Sequence, residues 1–171
     1  MTTSSKLLVG GSATTLAAAG TGVVVWKTQG SSINTSNHQI PPGLLEQIGD
    51  QLSSEGLTYK GTDKNSMKEK LEESDSDWYL NAKDNAWIIN IFLEIDSDDT
   101  SKYVSPDDVD SAVEKDANAL EKVSVWITNW CEWVKDKTKD DLLKFSLGED
   151  TLKYVEHVPE LFKNLCFVKV T

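Results

Sequence analysis

The residues best suited to chemistry lie between 96 and 107. Asp96-Ser97-Asp98-Asp99-Thr100-Ser101-Lys102-Tyr103-Val104-Ser105-Pro106-Asp107 is an acidic run between two stretches of helical periodicity. A calcium hand has the same layout, with a twelve-residue loop of oxygen ligands between two helices. Asp96 and Asp98 match the first and third loop positions, Thr100 the fifth and Asp107 the last. Three features depart from that pattern. Ser101 stands where the sharp turn wants Gly, Lys102 brings a cation to the site, and Asp107 replaces a longer, bidentate Glu. Ser105-Pro106-Asp107-Asp108 also reads as a helix start, which competes for the same residues. The pattern predicts at most a weak calcium site of the extracellular grade, and a solvated acidic loop is the plainer reading.

The other reactive side chains are Cys131, Cys166, His38 and His157. Neither cysteine belongs to a CxxC, which excludes a protein-only zinc ribbon and a thioredoxin-type motif. Cys131 and Cys166 are a disulfide candidate if the domain lies in an oxidising compartment, where closing their loop of about 35 residues adds about 3–4 kcal/mol. In a reducing compartment they are two buried thiols. A thiol enzyme around Cys131 and His157 needs the two in contact, which spacing alone does not supply. The chain has no G-x-S-x-G, HExxH, phosphate-cradling glycine loop or dinucleotide fingerprint. No catalytic residue and no cofactor is expected.

The scaffold for these residues is organised around 105–137. Ser105 caps, Pro106 suits the first helical position, and Asp108 makes a capping-box-like pair with Ser105. Val109, Val113, Ala117, Leu120, Val123, Ile127, Trp130 and Val134 then recur at helical spacing, predicting one long helix. Trp126, Trp130 and Trp133 near its end predict the core seam. Ahead of it, Leu44, Leu45, Ile48 and Leu52 mark a short helix ending near Gly56. A second helix, capped by Thr62-Asp63, carries Met67 and Leu71, and a break follows at residues 74–77. Asn85 caps a third at 86–95, apolar on most sides. A strand is the alternative at 87–95, but no partner strand of similar quality exists. After the seam, Asp140-Asp141 opens a short segment at 142–147. A last helix starts at Asp150 or Thr151, is interrupted by Pro159 and resumes toward Cys166. The tail from Phe167 packs on the core. The fold class expected for 44–171 is a small, irregular, mostly α domain.

The N-terminal part differs in kind. From Leu7 to Trp26 the chain runs without a charge, long enough as a helix to cross a hydrocarbon core. Lys6 and Lys27 bracket it, and Trp26 suits the interface. Residues 1–27 therefore read as a membrane anchor, with a single transmembrane helix. Two alternatives stay open: a signal segment cleaved after the A-x-A of Ala17 and Ala19, and an apolar core helix. Lys6 and the terminal amine outweigh Lys27 and put the bulk of the chain outside. Residues 28–43 are polar and read as a flexible tether.

All 17 basic residues are Lys, against 28 acidic ones, for a net charge of −11. No Asp or Glu precedes Glu46, so the negative charge lies wholly in the domain. Such a surface repels nucleic acid, and the lack of Arg removes the best bidentate phosphate binder. The expected partner is a protein, reached from the membrane.

The layout resembles the paralogous sets of uncharacterised membrane-anchored proteins of hemotropic mycoplasmas. The shared features are Lys6 before a Gly/Ala-rich segment, Leu52-Ser53-Ser54-Glu55-Gly56, Trp78, Trp130-Cys131 and a second cysteine near the end, Cys166. Many members end in Trp-Cys, whereas this chain has Leu165-Cys166. The resemblance implies a membrane-anchored, surface-exposed protein without assigned activity, and it carries over no catalytic residue. The function expected of the domain is a non-catalytic, interaction or antigen-like one.

Overall fold

The computed structural model describes residues 26, 42–72, 76–94, 98, 101–145 and 150–169. The expected anchor before Trp26, most of the tether, and Asp96 and Thr100 of the acidic loop lie outside the described residues. Within them the chain is mostly helical, as expected, with eight helices and two short strands. No helix among the described residues is long and apolar enough to cross a membrane.

Helix α1 (Leu44–Ser54) buries Leu44, Ile48 and Leu52 and stops ahead of Gly56, whose φ of 78° is the left-handed turn glycine tolerates best. Its N-cap, Gly43, has no side chain to cap with. Instead, Leu44 N–H donates to Lys137 C=O at 3.1 Å and Leu45 N–H to Lys135 C=O at 2.8 Å. Those carbonyls lie just past the end of helix α6 (Ala117–Val134), so two helix ends of opposite polarity satisfy each other. Gly43 permits this approach, since a Cβ there would lie 2.8 Å from Asp136 Cα.

Asp63 caps α2 (Lys64–Glu72), accepting from Asn65 N–H at 3.1 Å and Ser66 N–H at 3.4 Å, and α2 buries Met67 and Leu71. Trp78, Tyr79 and Leu80 belong to a helix absent from the sequence reading, α3 (Ser76–Asp84). Trp78 is buried and its indole donates to Leu165 C=O at 3.2 Å. Helix α4 (Ala86–Phe92) is shorter than the expected 86–95, because the chain turns at Leu93 and Glu94, where Glu94 has φ of 53°. Asn85 does not cap it with its side chain. The Asn85 amide instead donates back to Asn81 C=O at 2.8 Å.

The single long helix expected over 105–137 is two. Helix α5 (Pro106–Val113) ends in a left-handed Lys115, with φ of 68°. Lys115 N–H donates to Ala112 C=O and Asp116 N–H to Ser111 C=O, each at 3.0 Å, which is the Schellman closure. The Asp116 side chain then caps α6 by accepting from Asn118 and Ala119 N–H. One residue closes one helix and opens the next, so the apolar period continues across the break. At the start of α5, the Ser105–Asp108 capping box forms as expected.

Helix α6 supplies the seam. Val123, Trp126, Ile127, Trp130 and Val134 are buried, and the helix packs against α2, α5 and the last helix, α8 (Thr151–Cys166). Trp133 is half-buried and stacks on Phe92 at 5.9 Å. A short α7 (Lys139–Leu142) carries its own capping box, Thr138 with Asp141. Helix α8 runs through Pro159 without ending, contrary to the expected interruption. The tail forms β2 (Phe167–Lys169), antiparallel to β1 (Leu57–Tyr59), with Tyr59 opposite Phe167 and Leu57 opposite Lys169. Packing of this tail was legible in the sequence; its strand partner was not.

Candidate functional site

Two cysteines of very different sequence surroundings meet where α6, α8 and β1 converge. Cys131 faces inward from α6 and Cys166 is the last residue of α8, and they form a disulfide across a Cα–Cα distance of 5.7 Å. Both are fully buried. Tyr59 of β1 lies over the bridge and donates its hydroxyl to Cys131 C=O at 3.1 Å. Burial, then the nearby Glu132 and Asp136, push the Tyr59 hydroxyl well above its ordinary value, so it stays a neutral donor. Gly61 passes so close that an added Cβ would lie 2.4 Å from Cys131 Cβ. Lys60 N–H donates to Cys166 C=O at 2.9 Å and continues the β1–β2 pairing up to the bridge. The bridge staples the end of α8 to α6 and leaves no thiolate for catalysis. His157 is exposed on α8.

The acidic loop is only partly described. Asp98 and Asp107 are both exposed, the first in a turn and the second in the first turn of α5. Asp108 is engaged as a cap: its carboxylate accepts from Ser105 N–H at 2.8 Å and from Lys122 Nζ at 3.0 Å. Burial pushes Asp108 up, but the Ser105 backbone and hydroxyl and the Lys122 ammonium outweigh it and hold the carboxyl below its ordinary value. A cation of the chain already sits at this end of the loop. Among the described residues no group of three metal-ligating side chains converges.

A concave site does form beside this loop. A cleft of about 580 Å³ opens between Leu93, Ser101 and Lys102 on one side and α6 on the other. Val125 and Trp126 make its apolar wall, and Asn118, Asn129 and Lys122 its polar rim. This volume is within the range of small-ligand pockets. Glu121 closes another edge but is committed to Lys64 at 2.8 Å and to Lys68, and those two ammonium groups hold its carboxyl down to about 2.

The residue that holds this cleft in shape is Asn90, which sequence reasoning passed over. It is buried on α4, where its amide donates to Val104 C=O at 2.9 Å. Its carbonyl accepts from the Trp126 indole at 2.9 Å and from Val104 N–H at 3.4 Å. One side chain therefore fixes the end of the acidic loop to the wall of the cleft. The available signal was a lone amide inside the most apolar stretch of the domain, where a polar side chain must find partners.

A further polar group lies between α3 and α5. Lys83 Nζ donates to Asp110 at 2.9 Å and to Tyr79 Oη at 3.1 Å, and Tyr79 donates to Asp110. The Asp110 and Tyr79 contacts raise the Lys83 ammonium above its ordinary value, the opposite of what a nucleophilic lysine requires. The group ties α3 to α5. No family model, no curated protein and no solved structure matches this chain.

Proposed function

We propose that this chain is a single-pass membrane protein whose helical domain is displayed outside the cell and works by binding another protein, without catalysis. The observation that carries the reading is the Cys131–Cys166 bridge, formed by the chain's whole complement of cysteine at the centre of the core. A structural disulfide in such a small domain belongs to an oxidising compartment. The uncharged run from Leu7 to Trp26 supplies the anchor, and the charge bias around it sets the domain outside. The absence of a thiolate, the capped state of Asp108 and the raised Lys83 all weigh toward a binding role. We assign partner contact to the cleft beside Trp126. Its apolar wall fits an aliphatic or aromatic side chain.

Protease shaving of intact cells that express the full chain with a C-terminal epitope tests the reading. The expected result is loss of the epitope from the cells while a cytoplasmic marker survives. Full protection of the epitope until the cells are lysed would overturn it.

A further inference from the structure

Pro159 leaves a gap inside α8. It has no N–H, so Val155 C=O, four residues earlier, loses its helical partner, and the proline ring tilts that carbonyl outward. The gap is filled from far away in the chain. The Trp26 indole N–H donates to Val155 C=O at 2.9 Å, and the Trp26 ring packs against the buried core. Val155 and Pro159 are themselves buried. The domain therefore carries, on α8, a receptor for one indole.

Trp26 is also the last residue of the uncharged run, followed at once by Lys27. We infer that the Val155–Pro159 notch is a docking site for the membrane-proximal tryptophan, and that this contact holds the domain against the bilayer with α8 turned toward the lipid. The lipid half of the inference rests on the anchor reading above; the docking itself does not. A free tether across 28–43 would let the acidic domain stand away from the membrane. Trp26, hydrogen-bonded to Val155 of α8, instead keeps the membrane-proximal end of the chain on the domain. Nearby, Leu152 lies one turn before Val155 and is 53% exposed. It is the apolar side chain on α8 that such an orientation would bring to the interface. The partner of this face is a neutral lipid surface, because the domain's acidic charge opposes anionic headgroups.

Two measurements on the full chain in phosphatidylcholine vesicles test this. The first is a cycle of Trp26→Phe and Pro159→Ala. Trp26→Phe keeps a ring and removes the N–H, and it should lower the melting temperature by roughly 3–5 °C. In the Pro159→Ala background the helix supplies its own N–H to Val155, so the same change should have little effect. Equal losses in both backgrounds would overturn the docking. The second places a fluorophore at Leu152→Cys or at Glu69→Cys, an exposed position on α2, with energy acceptors in the lipid. Transfer should be stronger from 152 than from 69, and Trp26→Ala should remove the difference. Vesicle-bound chain with equal transfer from both positions would overturn the orientation and leave the anchor standing. Failure of the chain to float with vesicles would overturn both.

Discussion

Truncating Asn90 tests how the cleft is built. Asn90→Ala removes the partner of the Trp126 indole N–H and of both backbone groups of Val104, and all three residues are buried. An orphaned buried donor or acceptor costs about 1–3 kcal/mol. The bonds at 2.9 Å count fully and the longer Val104 N–H contact counts least, so the expected loss is about 3–6 kcal/mol. Asn90→Leu refills most of the volume with an apolar group of similar size yet leaves the same three groups unpaired. The two variants should therefore fall within about 1 kcal/mol of each other. In urea, with a slope of about 1–3 kcal/mol/M, both midpoints should drop by roughly 1 M or more. A Leu variant that unfolds within about 0.3 M of the parent would refute the reasoning. The side chain would then be filling space, and the cleft wall would need no polar bracket.

Other consequences are direct. Reduction of the Cys131–Cys166 bridge, which closes a separation of 35 residues, should cost about 4 kcal/mol on the chain-entropy model. That loss should lower the melting temperature by roughly 10–20 °C in calorimetry with a phosphine reductant. Gly61→Ala sets a Cβ against Cys131, and overpacking of about 1–3 kcal/mol should appear as a lower urea midpoint, with less effect in the reduced protein. Acid should unfold the domain in a defined window. Asp63, Asp108, Asp110, Asp141 and Glu121 all have folded carboxyls below their ordinary values, Asp141 and Glu121 at about 2. Depressed carboxyls contribute stability above their unfolded values and lose it as pH falls through the folded ones. The melting temperature should hold from pH 7 to about 5 and fall steadily toward pH 2, and a flat profile would contradict the ion pairs.

Much of the scaffold was legible because local rules and packing agreed. The apolar period of α1, the Asp63 cap and the Ser105–Asp108 box each act within one turn of helix. What escaped depends on contacts distant in sequence, or on an unusual residue in a familiar role. Lys115 takes the left-handed position that glycine usually marks, so the α5–α6 break left no glycine signal. Pro159 reads as a stop until Trp26, 129 residues from Val155, is seen to satisfy the freed carbonyl. β1 is only Leu57–Tyr59, too short to show alternation, and its partner comes from the far end of the domain. The cysteine pair could be named from its count alone, while Tyr59 and Gly61, which enclose it, carry no signal until the chain is folded.

The redox state of Cys131 and Cys166 in living cells bears most directly on an external, disulfide-stapled domain. Cells expressing the full chain are quenched in acid, unfolded, and treated with a polyethylene-glycol maleimide with and without prior reduction. The predicted result is no gel shift without reductant and a shift of two labels after it. Two labels without reductant would mean reduced cysteines and a domain on the cytoplasmic side, and the proposed display outside the cell would fall with that result.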